Sequence, residues 1–154
     1  MAKIDKLPAP VGIAPMEILN LSAAVGSSAA VNHPDDVMVV QALLIYLNPH
    51  QRGFGINEGP EWPTGTFDKA TAWAIKKYQV HANRLRKNGL RLIEDGRISP
   101  AQGKFAFGRS AYIWTIAALN FDALETALLS GHNQGHIEYL CRRFPEIKAM
   151  LKVA

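Results

Sequence analysis

The sequence predicts a small, mainly α-helical domain. Apolar residues recur at helical spacing in several separate segments, beginning with Val37, Val40, Leu44 and Leu47. Start and stop signals bracket the segments: Pro34-Asp35-Asp36 opens the first, Asp68 the second and Asp122 a later one that Gly131 closes. At most a small sheet is expected besides. With 154 residues, the chain suits one domain and can bury a core without covalent staples.

Taken in order, residues 1–20 are rich in proline and lack a clear period, and they read as an extended arm. Residues 21–33 are small and polar, a loop leading into the first helix. That helix starts at Pro34, where a missing N–H costs nothing, and two aspartates favour the positive end of its dipole. Asn48-Pro49 ends it. A long loop follows over 48–66, carrying Phe54 and Trp62 among several glycines and prolines. The second helix begins after Asp68 as N-cap, with Phe67, Thr71, Ala74 and Tyr78 on one stripe and Lys76 and Lys77 on the other side. Asn88-Gly89 and Asp95-Gly96 are turns, and 90–94 is a short extended piece between them. A third helix is expected over 111–120 and a fourth from Asp122 to Gly131, with Gly131 at the C′ position. His136–Phe144 reads as a fifth, and Pro145 opens a last turn or two through Leu151.

Composition excludes several classes. No stretch of about 18 apolar residues exists, so no membrane span is expected. The first residues lack an uninterrupted apolar run, which predicts synthesis in the cytoplasm without a cleaved leader. The single cysteine, Cys141, excludes an internal disulfide framework and is expected to be buried and inert. The net charge of +4 favours weak attraction to polyanions, with much of the excess between Lys76 and Arg91. Such a run is usually a solvated face, and without a recognition-helix signature nucleic acid is not the expected partner.

Three segments carry a family resemblance. The first is Asp36-Val37-x-x-Val40-Gln41-x-Leu43-Leu44. The second is Gly65-Thr66-Phe67-Asp68-x-x-Thr71-x-x-Ala74-Ile75-x-x-Tyr78-Gln79. The third is Asp95-Gly96-Arg97-Ile98-Ser99-Pro100, followed by Tyr112-x-x-Thr115-Ile116-x-x-Leu119-Asn120. Together they resemble the peptidoglycan-binding-like domain family. The lead-in from Ser22 to Val37 is similar to a subgroup found in phage and secretion-associated proteins. The first turn departs from the family's D-G-x-[FY]-G pattern, and 101–109 looks like an insertion. The resemblance divides the chain into an arm (1–24), a peptidoglycan-binding-like domain (25–120) and a C-terminal helical extension packed on it (121–154). It implies a small bundle of that type with extra C-terminal helices.

What the resemblance implies about function is non-catalytic binding of the glycan or stem peptide of the cell wall, without a cofactor. A phage or contractile secretion machine would then deliver the protein to the periplasm or wall. Ligand-binding residues are expected at Trp62, which could stack on a sugar ring, and at Arg97, which could meet a carboxylate, with Asp95, Tyr112 and Trp114 bordering the same groove. At helical spacing, Trp73 and Trp114 are also core candidates. Gln79 is expected to satisfy loop backbone groups through its amide.

Two further readings stay open. The fold could serve a structural or adaptor protein of such a machine, with Glu125, Leu128, Leu129, Tyr139, Leu140, Phe144 and Leu151 as a partner or self-association face. More weakly, Glu58, Glu61, Glu94 and Asp95 could supply a wall hydrolase's carboxylate pair. No catalytic or metal residue is assigned. His132 and His136 lack the intervening glutamate of the zinc-protease pattern, and a glycine precedes the second.

Overall fold

In a computed structural model of the chain, the described residues are 2–7, 16–27, 29–49, 58–85, 90–103, 106–107 and 112–151. Phe54, Arg86, Lys87 and the Asn88-Gly89 turn lie outside them. About half of the described residues are helical, in α1 (Pro34–Leu47), α2 (Lys69–Leu85), α3 (Thr115–Leu129), α4 (His136–Arg143) and α5 (Pro145–Leu151). The remaining regular structure is three two-stranded antiparallel sheets. β1 (Lys3–Leu7) pairs with β2 (Met16–Asn20), β3 (Val25–Gly26) with β4 (Arg97–Ile98), and β5 (Ala106–Phe107) with β6 (Tyr112–Ile113). The chain is mainly α, with additional helices at its C-terminal end.

α1 is the axis of the core. Every residue from Asp36 to Leu47 except Met38 is buried, because α2, α3, α4, α5 and β3 all pack around it. The stripe expected from Val37, Val40, Leu44 and Leu47, even widened by Leu43, is therefore too narrow: a helix apolar on nearly all sides is a core helix. Its first turn draws the preceding loop inward. The buried Asp36 carboxylate accepts from Ser22 N (2.9 Å), Ser22 Oγ (2.7 Å) and Ala23 N (3.0 Å), so the charge is desolvated but fully hydrogen-bonded.

α2 starts as its sequence indicates. Asp68 Oδ1 accepts from Thr71 N (2.8 Å) and Thr71 Oγ1 (2.7 Å), and these bonds, the hydroxyl's foremost, hold the carboxyl below its ordinary value. Thr71, Ala74, Ile75 and Tyr78 are buried, while Lys76 and Lys77 face solvent.

Two sequence expectations are corrected here. The N-terminal segment is no free arm: β1 and β2 form a hairpin whose Leu7, Ile18 and Leu19 enter the core. The prolines that suggested irregularity lie between the two strands in sequence, outside the described residues. The two helices expected over 111–131 are one helix, α3, so the expected boundary between 120 and 121 falls inside a continuous element. Asp122 is not a cap; its Oδ2 accepts the Tyr78 hydroxyl at 2.5 Å, tying α3 to α2. α3 ends as expected, with Gly131 at φ 85°. His132 N donates to Ala127 O (2.8 Å) and Gly131 N to Leu128 O (3.2 Å), the paired bonds of a Schellman closure.

α4 and α5 match their expected ranges and bury Leu140, Phe144 and Ile147 against α1. The partner face read from the C-terminal sequence therefore divides. Leu140 and Phe144 belong to the core, and Tyr139 and Leu151 are partly buried against it. Glu125, Leu128 and Leu129 remain exposed on α3.

Candidate functional site

The site is built by two turns of the same design. In the first, Gly65 N donates to Gln41 Oε1 (2.9 Å), while Gln41 Nε2 lies 3.0 Å from Thr66 O, 2.9 Å from Thr71 Oγ1 and 3.3 Å from Thr64 Oγ1. In the second, Gly96 N donates to Gln79 Oε1 (2.8 Å), while Gln79 Nε2 lies 3.0 Å from Arg97 O, 3.3 Å from Thr115 Oγ1 and 3.3 Å from Asp95 Oδ1. The residue before each glycine also caps the turn: Thr64 Oγ1 accepts from Thr66 N (3.2 Å), and Asp95 Oδ1 from Arg97 N (3.0 Å). Both glycines have left-handed φ, 83° and 71°. One glutamine, buried on a helix, thus reads a remote turn's N–H and C=O together and links it to a threonine of the next helix. Gln79 does what its sequence position indicates. Gln41 is its structural twin, a role unforeseen from sequence although Gln41 stands in the first of the three segments.

The second turn bears the groove. β4 is held by β3, where Gly26 faces Arg97 so closely that an added Cβ would lie 2.5 Å from Gly96 O. A shallow concavity of about 130 Å³ opens between this turn and the start of α3, lined by Ile93, Asp95, Arg97, Ser99, Ile113, Trp114 and Thr115. Asp95, Arg97 and Trp114 are therefore brought together. Tyr112 stands one residue before the lining, half-buried in β6 opposite Phe107. Arg97 is exposed and makes no ion pair among the described residues, so its guanidinium fork is available to a carboxylate. A guanidinium, a carboxylate and an indole beside a rigid turn supply binding chemistry: charge-assisted hydrogen bonds and a stacking surface. The volume is below the roughly 300 Å³ of a small-molecule pocket, so it suits part of a long ligand lying across the surface.

Trp62 is elsewhere. Its ring packs edge-on to Phe144 (centroids 5.0 Å apart, 81° between planes) and its Nε1–H donates to Glu146 Oε1 at 3.1 Å. The long loop is thereby fastened to α5, and Trp62 does not line the groove, although it remains 46% exposed.

The other reactive side chains turn to structural tasks. His136 is buried, with Nε2 at 2.8 Å from Asn120 Oδ1, and desolvation pushes its pKa down to about 4. His132 lies against the Tyr139 ring at 4.4 Å, so the two histidines face different neighbours. Among the described residues no three metal-ligating side chains converge. Cys141 is half-buried rather than fully buried. Its thiol pKa is raised by burial and by Glu138, against a lowering by Lys148. It lines a concavity of about 700 Å³, where Ile4 and Glu17 of the hairpin face Ile137, Pro145 and Lys148.

A second polar surface joins part of the basic run noted in the sequence to a tryptophan. Trp73, expected in the core, is 39% exposed on the outer face of α2. With Lys76, Lys77, Val80, His81 and Arg84 it lines a concavity of about 230 Å³. Lys77 Nζ stands 5.4 Å from the Trp73 ring centroid. Burial lowers the His81 pKa; Arg84 and Lys77 lower it further while Asp122 raises it.

No protein-family model, curated protein or solved structure matches this chain. No described helix is long and apolar enough to cross a membrane.

Proposed function

We propose that the chain is a non-catalytic cell-wall binding module of the peptidoglycan-binding-like type, possessing an extra C-terminal helical layer. The observation that carries this reading is the repeated turn held by Gln41 and by Gln79. It accounts physically for the residues on which the family resemblance rests: a glutamine on a helix, a Gly turn, and a threonine on the following helix. The ligand is a glycan or stem peptide of peptidoglycan, lying across the groove between the Asp95–Ser99 turn and the start of α3. Arg97 takes a carboxylate of the ligand, and the rings of Trp114 and Tyr112 flank a sugar or the peptide. No cofactor is required by this binding. The lead-in from Ser22 to Val37 favours a phage or contractile secretion machine as the setting.

The test is co-sedimentation with purified, protein-free sacculi at low and high salt. Binding should survive high salt and weaken about tenfold in Arg97→Ala, since a hydrogen bond to a charged group is worth about 1.5–3 kcal/mol. Trp114→Ala should weaken it as well. Absence of binding at low salt sinks the reading.

A second reading, an adaptor that keeps the fold without the ligand, is favoured by one feature. Phe121, Leu128 and Leu129 are exposed on α3, Leu129 at 82%. Concentration-dependent light scattering separates the two readings, because the adaptor reading requires association through this face.

A further inference from the structure

The groove beside the second turn holds two opposite charges that do not meet. Asp95 and Arg97 both line its concavity of about 130 Å³, yet neither forms an ion pair with the other or with any other described residue. The turn occupies only half of the Asp95 carboxylate. Its Oδ1 accepts from Arg97 N at 3.0 Å and lies 3.3 Å from Gln79 Nε2, and these two donors pin the group. Its Oδ2 has no hydrogen-bond partner among the described residues, and neither has the Arg97 guanidinium. An anion held in place by the turn and a free cation two residues on thus share a space that fits one residue-sized group. A ligand carboxylate alone would meet Arg97 but bring a like charge to Asp95. A neutral sugar would match neither charge. An ammonium next to a carboxylate matches both, and the Trp114 indole lining the same concavity suits a cation as well.

We infer that the groove takes a stem-peptide branch presenting an ammonium and a carboxylate within one residue, the ammonium on Asp95 Oδ2 and the carboxylate on Arg97. This rests on the wall-binding reading and names the part of the wall that the groove reads: the zwitterionic peptide rather than the sugar ring or its lactyl carboxylate. Asp95 then has two tasks, one oxygen for the turn and one for the ligand.

The experiment compares sacculi whose stem peptides carry free amines with the same sacculi after acetic anhydride has converted the amines to amides. The full chain is co-sedimented with each at low and high salt. At high salt the wild type should bind the acetylated sacculi about fivefold more weakly, the upper end of what one exposed ion pair is worth. Non-specific attraction has the opposite sign, because acetylation makes the wall more anionic and the chain carries a net charge of +4. Asp95→Asn keeps an oxygen for the turn and removes the charge, so it should bind both sacculi alike. Thermal melts check that this variant folds; if it does not, the wild-type comparison decides alone. Soluble glycan strands freed of peptide by an amidase should not displace the wild type. Equal or tighter binding to the acetylated sacculi overturns the proposal and leaves the wall reading standing. A difference that persists in Asp95→Asn, or displacement by the bare glycan, overturns it too. Absence of binding to untreated sacculi at low salt overturns the wall reading and this proposal with it.

Discussion

Single amides do much of the joining in this protein. Asn120 Oδ1 accepts from Leu19 N (2.8 Å), and its Nδ2 donates to Leu19 O (3.0 Å) and Ile116 O (2.8 Å). Because that oxygen can only accept, the His136 Nε2 beside it must carry the proton, which fixes the tautomer. Asn83 bonds Leu92 N (2.7 Å) and Leu92 O (2.9 Å), and Asn32 bonds Gly26 N (2.8 Å) and Gly26 O (2.9 Å) in the same way. Each side chain meets one residue's N–H and C=O together, as a neighbouring strand would. Removing Asn120 strands several buried groups, so Asn120→Ala should cost about 3 kcal/mol or more in urea unfolding. His136 adds a pH dependence. Its folded pKa of about 4 lies below the ordinary imidazole value of 6.5, so the unfolded chain binds the proton first. Stability is whole above pH 6.5 and declines as pH falls toward 4, by about 3 kcal/mol for this group. Urea midpoints at pH 7, 5.5 and 4, compared with those of His136→Phe, would show whether this ring is the source.

At the scale of elements, the sequence was most legible where a helix begins or ends by local chemistry. Pro34, the Asp68 cap, the Gly131 closure and Pro145 all act within a few residues, and the observed bounds follow them. It was least legible where a distant partner decides. Asp122 resembles a cap until Tyr78 claims it, and Asn120 resembles a helix end until Leu19 and His136 claim it. The hairpin is the same case, since β2 acquires its buried face against the distant α3. For the site, Asp95, Arg97 and Trp114 could be grouped because one turn and one helix start place them. Trp62 could not, because Phe144 and Glu146, far along the chain, set its position. The two glutamine-held turns give a paired prediction. Gln79→Leu and Gln41→Leu should each destabilise by about 3 kcal/mol, since buried turn N–H and C=O groups lose their partners. Only Gln79→Leu should also weaken sacculus binding beyond the loss of folded protein, because its turn carries Arg97. Equal binding defects in the two variants would detach the groove from the second turn.

For the whole molecule, α1 gathers α2, α3, α4, α5 and β3 around itself, and α3 brings in the N-terminal hairpin. Deleting 132–154 strips Leu140, Phe144 and Ile147 from a core that surrounds α1 on nearly every side. The truncated chain should therefore lack a cooperative thermal transition by circular dichroism, although the deletion lies beyond the segment that carries the family resemblance. A stable, cooperatively melting truncation would mean that the helices after Gly131 are an appendage. The bond between Leu19 and Asn120, which spans 101 positions, has a consequence for synthesis. Translation proceeds at about 5–20 residues per second, so β2 leaves the ribosome roughly 5–20 s before the residue that will receive it. Throughout that interval its apolar Ile18 and Leu19 have no native cover on α3, and the hairpin needs shielding from other growing chains.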